Sequence, residues 1–154
     1  MDIQTDDLSI QLDHGSGGRA TRELVDKVFG EALQNKFLLE MNDSALVEVE
    51  GGQLAMTTDS YVVDPIVFPG GNIGSLAVHG TINDLSMRGA RPMYLTAGFI
   101  LEEGLPLETL QDIVESMAAA AREADVLIIA GDTKVVPRGK ADKIFINTAG
   151  IGIV

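Results

Sequence analysis

The chain has 154 residues, enough for one hydrophobic core and cramped for two. Its 45% apolar content excludes a disordered chain, and a formal net charge of -12 opposes nucleic-acid backbones and anionic membrane surfaces. Cysteine is absent, which excludes disulfides, thiolate metal sites and cysteine nucleophiles within the chain and fits a cytoplasmic protein.

The opening Met1-Asp2-Ile3-Gln4 lacks a basic-then-apolar signal segment, and no apolar run is long enough to cross a bilayer as a helix. Residues 1–13 read as a polar lead-in with a short strand expected over 8–12. The glycine-rich stretch His14-Gly15-Ser16-Gly17-Gly18 follows. It lacks the glycine-lysine-serine/threonine ending of a Walker A loop and the full dinucleotide fingerprint, so a structural turn and a phosphate-facing backbone both stay open. Thr21 is expected to cap a helix over 21–37, with Leu24, Val25, Val28, Phe29, Ala32 and Leu33 packed as core. Residues 43–52 read as an acidic turn region whose Gly51-Gly52 leads into an alternating strand over 53–58.

Pro65 and Phe68-Pro69-Gly70-Gly71 force a loop. Asn72 is expected to cap a helix reaching about residue 88, with Gly74 and Gly80 admitting a close neighbouring backbone and Gly89 ending it. Residues 93–101 read as a central strand. The clearest helix spans 105–124, with Leu107, Leu110, Ile113, Val114, Met117, Ala118 and Ala121 as its buried stripe. A short buried strand is expected over 126–130, a turn over 137–140 and a final strand over 143–154. This order predicts a single layered α+β domain over 1–154, a sheet with helices packed on one face. Ending in strand-like material, the chain reads as cut from something longer, with a complete small protein as the alternative.

Asp59, Asp84 and Asp132 each sit in small or apolar sequence rather than in a charge run. Asp59 and Asp132 are expected at or just beyond strand ends, Asp84 inside a helix. Carboxylates buried without partners are costly and repel one another, so their convergence needs a cation. Mg2+ shared with a phosphate suits hard oxygen ligands. Lys134 is well placed to meet the phosphate, as are Arg138 and Lys140 if their turn folds inward; Thr58, Ser60 and Thr133 are weaker candidates. With only His14 and His79, a histidine-rich metal centre is excluded, and His79 reads as a packed or hydrogen-bonding helix residue. Caps, turns and surface positions remain the plainer account of any one aspartate. Together the three point to metal–nucleotide binding.

Five stretches carry a resemblance: His14 to Gly18, Thr58-Asp59-Ser60-Tyr61-Val62-Val63-Asp64-Pro65, Phe68-Pro69-Gly70-Gly71-Asn72-Ile73-Gly74, Gly98-Phe99-Ile100-Leu101-Glu102-Glu103-Gly104-Leu105-Pro106 and Gly131-Asp132-Thr133-Lys134-Val135-Val136. In combination, over nearly the whole chain, they resemble the amino-terminal domain of the HypE family of hydrogenase maturation factors. The wider PurM-like group is similar to aminoimidazole ribonucleotide synthetase and selenophosphate synthetase. The resemblance implies an ATP-dependent carbamoyl dehydratase that turns a thiocarboxamide on a carboxyl-terminal cysteine into a thiocyanate, supplying cyanide ligands for nickel–iron hydrogenases. It implies a homodimer whose sheets pair into a barrel-like structure, a carbamoyltransferase partner HypF and a HypC–HypD scaffold. By the same resemblance, Mg2+ and ATP are held by Asp59, Asp84 and Asp132, with Lys134 and the loop His14, Gly15, Ser16, Gly17 and Gly18 near the phosphates. The missing second domain and missing cysteine imply that this chain does not complete the dehydration alone. A pairing and docking module without catalysis is the alternative, and an enzyme acting on another amide oxygen is a third reading.

Overall fold

Residues 9–33 and 35–154 are described by a computed structural model. The chain divides into two compact units after Asn42, and each is described by itself. In the first, a 3-10 turn at Leu12–Gly15 leads to helix α1 (Arg19–Leu24), a π-helical stretch Val25–Gly30, the single turn α2 (Glu31–Leu33) and a second 3-10 turn, Leu38–Glu40. Of the strand expected over 8–12, Leu8 lies outside the described residues and the remainder is not a strand. The Gln11 N–H instead donates to His14 Nδ1 at 2.8 Å and curls the backbone into the turn.

The first helix also begins earlier than expected. Gly18 stands at its N-cap, while Thr21 lies inside it and accepts a hydrogen bond from the Gly17 N–H at 2.9 Å. The expected packing of its apolar residues is not found: Val28, Phe29 and Leu33 are half or more exposed. Among the described residues this unit has no sheet and no second long helix against which an apolar stripe can close.

The second unit holds strands β1 (Ala45–Val49) and β2 (Gly52–Tyr61), the short pair β3 (Val67–Phe68) and β4 (Gly71–Asn72), helix α3 (Ile73–Met87), strand β5 (Arg91–Glu102), helix α4 (Leu107–Glu123), and strands β6 (Leu127–Val136) and β7 (Ile144–Ile153). Five strands make one sheet in the order β1-β2-β7-β5-β6. Only β5 and β6 run parallel. The layered α+β expectation holds for this unit. Along β7, Ile144, Ile146 and Thr148 are buried toward the helices, whereas Asn147 between them is exposed on the other side. The core gathers Ile73, Ala77 and Val78 of α3, Ile113 and Met117 of α4, and Leu95, Ile144 and Ile146 of the sheet.

Helix α3 matches its sequence reading closely. The Asn72 side chain accepts from the N–H groups of Gly74 and Ser75, and Gly89 leaves the helix at φ +71°. A Cβ on Gly74 would stand 2.3 Å from the Ile113 carbonyl oxygen, so this glycine does admit a neighbouring backbone. At Gly80 the close neighbour is a side chain instead, the Tyr61 hydroxyl.

Three elements depart from expectation. The acidic stretch 43–52 contains β1, which pairs Leu46 with Ala55 and Val47 with Leu54; Glu48 and Glu50 masked its alternation. Strand β6 runs on to Val136 rather than stopping at residue 130, because its parallel ladder to β5 continues through Gly98–Asp132 to Glu102–Val136. It is also exposed nearly throughout, since it is an edge strand. In α4, Leu107 and Val114 are exposed while Ala120 is buried, so the stripe is narrower than read. No helix among the described residues is long and apolar enough to cross a membrane.

Candidate functional site

Ladder partners place their side chains on the same side of a sheet, and a shift of one residue reverses the side. One row runs Asp59–Thr148–Ala97–Gly131 across β2, β7, β5 and β6. Thr148 and Ala97 are buried under the helices, which puts Asp59 on the helix side. The next row, Ser60–Asn147–Gly98–Asp132, faces the opposite, open side. Asp59 and Asp132 are therefore inside strands, not beyond their ends, and on opposite faces.

Asp84 belongs with Asp59. It lies on α3, and the hydroxyl of Thr57, two residues before Asp59 on the same strand face, is 3.3 Å from Asp84 Oδ2. That hydroxyl also donates to the Asp43 carbonyl at 2.9 Å, so one proton serves two acceptors. Ser44, itself buried, reaches the Asp84 carbonyl oxygen at 3.4 Å. Burial, opposed by the Thr57 hydrogen bond and reinforced by the charges of Asp59 and Asp43, raises the Asp84 carboxyl above its ordinary value. This is a place where a positive charge is wanted.

Asp132 meets a different environment. Lys134 lies 2.8 Å from its carboxylate, and that hydrogen bond and charge lower its pKa. Both side chains are exposed on the open face, where they line a hollow of about 390 Å³ with Ser60, Asn147, Gly98 and Phe145. Asn147 Nδ2 donates to the Asp59 carbonyl at 2.9 Å and to Ser60 Oγ at 3.0 Å, tying the open face to the backbone of Asp59.

Within one chain the three aspartates do not surround one cation. Among the described residues no group of three or more His, Asp or Glu side chains is placed to share a metal ion. The expected convergence is corrected by the pleat: Asp59 and Asp84 come together on the helix side, and Asp132 is turned away. Two carboxylates still fit Mg2+, which binds through one or two protein oxygens plus phosphate oxygens and water rather than in an all-protein cage.

The glycine-rich stretch belongs to the amino-terminal unit. His14 Nδ1 is engaged by the Gln11 N–H, Ser16 Oγ donates to the Asp13 carbonyl at 2.8 Å, Gly15 lies in the turn, and Gly17 has a φ of +77° before the Gly18 cap. His79 is exposed on α3, not packed. Arg138 lies against Gly104 beside a cavity of about 540 Å³ that is also lined by Pro65, Leu105, Pro106 and Lys143.

Thr57, Asp43, Thr81 and Thr148 surround the acid pair without belonging to the expected site, whereas the weaker candidates Thr58 and Ser60 lie on the opposite strand face from Asp59. The strand's own alternation would have found Thr57, since 57, 59 and 61 share a face while 58 and 60 take the other. Thr81, three residues before Asp84 on α3, carries no such signal.

Residues 41–154 match the model of the family described as AIR synthase related protein, N-terminal domain. The carbamoyl dehydratase HypE of Azotobacter vinelandii is 60% identical over 146 residues, which is 95% of this chain and 43% of that protein. A crystal structure of the hydrogenase maturation protein HypE in complex with ATP is 59% identical with a TM-score of 0.67, over 95% of this chain and 43% of that one. A crystal structure of a HypE–HypF complex superposes with a TM-score of 0.79 at 56% identity, over 85% of this chain and 42% of that one. The chain thus spans less than half the length of the relatives it matches.

Proposed function

Because the chain belongs to the AIR synthase related protein family, through its N-terminal domain, we propose that it is the ATP-binding domain of a carbamoyl dehydratase in nickel–iron hydrogenase maturation. The observation that carries this reading is the Asp59–Asp84 pair on the helix side of the sheet, with Asp84 raised by burial and by its acidic neighbours. The ATP-bound HypE relative supports it. Asp59 and Asp84 hold Mg2+, whose charge when bound offsets theirs and that of the phosphates. Thr57 orients the Asp84 carboxylate.

Lys134 is neutralised by Asp132 within the chain. It therefore meets a phosphate only when Asp132 turns to another cation. Both act from the open face, and the reading places them at the seam of a homodimer whose open faces pair into a barrel-like structure. Within the amino-terminal unit, the backbone N–H groups of His14, Gly15, Ser16, Gly17 and Gly18 are the proposed phosphate contacts of that stretch. The complete reaction converts a cysteine-borne thiocarboxamide to a thiocyanate: the carbon–oxygen bond breaks, the oxygen departs with the phosphoryl group, and two protons leave the nitrogen. HypF loads the cysteine and a HypC–HypD scaffold in the cytoplasm receives the product.

Calorimetry tests the site. Asp84→Asn and Asp59→Asn should each weaken magnesium-dependent ATP binding by roughly tenfold or more while leaving metal-free binding unchanged. Unaltered affinity in both variants would remove the acid pair from the nucleotide site. One observation favours a second reading, a pairing module without catalysis: apolar Met56, Tyr94 and Ile100 stand exposed on the open face. A dimer without measurable nucleotide affinity would favour that module.

A further inference from the structure

Thr81 and Thr148 are fully buried and Tyr61 is 7% exposed, yet all three bring hydroxyls into an otherwise aliphatic core. The Tyr61 hydroxyl lies 3.2 Å from Thr81 Oγ1, Thr81 Oγ1 is hydrogen-bonded to Thr148 Oγ1, and Thr148 Oγ1 donates to the Ala77 carbonyl at 3.2 Å. The chain of hydroxyls thus joins β2, α3 and β7. Its members are also the neighbours of the acid pair. Tyr61 follows Asp59 by two residues on the same strand face, Thr148 is the ladder partner of Asp59, and Thr81 precedes Asp84 by nearly one helical turn.

A satisfied polar chain in a core adds little net stability over apolar residues of the same shape, whereas it fixes geometry that apolar contacts leave free to slide. Here the geometry it fixes is the height and rotation of α3 on the sheet. That sets the distance between a carboxylate on the helix and one on the strand. Gly80 serves the same end: a Cβ there would stand 2.3 Å from the Tyr61 hydroxyl, so the helix is bare where the phenol tip passes.

We propose that Tyr61, with Thr81 and Thr148, is a positioning residue that holds α3 against β2 so that Asp84 and Asp59 stand at the separation a nucleotide-bound divalent cation requires. The inference rests on the reading of those two acids as cation ligands. In this role the Tyr61 hydroxyl acts through the acid pair rather than on the reacting groups.

The test uses Mn2+ as the spectroscopic probe, titrated into the protein with saturating ATP and followed by electron paramagnetic resonance. Tyr61→Phe keeps the ring over Gly80 and removes only the hydroxyl; Thr148→Val keeps shape, and Thr148→Ser keeps the hydroxyl. Loss of an outer partner of a metal ligand commonly weakens metal binding 10–100-fold. Tyr61→Phe and Thr148→Val should therefore weaken Mn2+ binding about tenfold, Thr148→Ser should stay near the parent, and metal-free ATP affinity should not move. If Tyr61→Phe fails to fold, the two Thr148 variants carry the comparison. A lowered melting temperature with Mn2+ affinity within twofold in both hydroxyl-free variants would make the chain purely structural and overturn the proposal. If Asp84→Asn and Asp59→Asn leave Mn2+ binding untouched, the underlying site reading has failed first, and the proposal falls with it for that separate reason.

Discussion

Burial and the carboxylates of Asp59 and Asp43 lift the Asp84 carboxyl above its ordinary value of 3.8, against the lowering effect of the Thr57 hydrogen bond. A folded-state value above the unfolded one means that the protonated form is favoured by folding. The associated stability is complete below 3.8 and is lost as pH rises through the folded value. At neutral pH, without a divalent cation, the ionised side chain therefore works against the fold. Asp84→Asn should raise the melting temperature at neutral pH in chelator, and the gain should vanish below the ordinary carboxylate range. With Mg2+ and ATP the order should invert, because only the parent gains the ligand's stabilisation. Thermal scans across pH give the answer, and a variant less stable than the parent in chelator at neutral pH would contradict it. Tyr61 shows the same physics on a neutral group: burial first, then the charge and hydrogen bond of Asp59, push its phenol up to about 12 against the lowering effect of the Thr81 hydrogen bond. The acids were legible as candidates because each interrupts small or apolar sequence. Their sorting onto two faces was not, since it depends on a one-residue register that only the ladders define.

Helix α3 is the element that carries site and core together. Asn72 caps it and also donates to Ser116 Oγ of α4 at 2.8 Å, while Gly74 lets α4 approach to backbone contact. Gly74→Ala forces the helices apart, with an expected loss of about 1–3 kcal/mol in urea unfolding, the range for overpacking a close contact. Asn72→Ala removes the cap and the tie to α4 and should lose about 1–2 kcal/mol. Equal stability of Gly74→Ala and parent would show that α4 shifts freely. This helix was readable almost end to end, since an Asn cap and a glycine exit are local signals. Strand β1 was hidden because Glu48 and Glu50 gave its stretch the composition of a turn. Strand β6 was misread for a different reason. Leu127, Ile128 and Ile129 look like core, but hydrophobicity does not say which strand ends a sheet.

At the scale of the whole molecule, an edge strand and an apolar open face stand beside a strongly acidic balance. Met56, Tyr94, Leu127 and Ile100 are exposed, and among the described residues β6 pairs with β5 alone. An open face of this kind favours association, and pairing it with a second copy would remove both the apolar exposure and the unpaired edge. Each chain brings a net charge of -12, so two chains repel over distances comparable to the Debye length of about 10 Å at 0.1 M salt. The face itself adds little repulsion, because Asp132 and Lys134 neutralise one another there. Apolar contact opposed by net charge predicts a dimer that tightens as salt is raised, the reverse of one held by complementary charges. Sedimentation across a concentration series at low and moderate salt measures this directly. Ile100→Asp, which puts a carboxylate beside Phe145 and Lys134 in the same ladder row, should weaken pairing by roughly tenfold or more. A dimer that loosened with salt and ignored Ile100→Asp would use another surface. A monomer at high micromolar concentration in moderate salt would leave Asp132 and Lys134 on an unpartnered face, with no route to the nucleotide from a dimer seam.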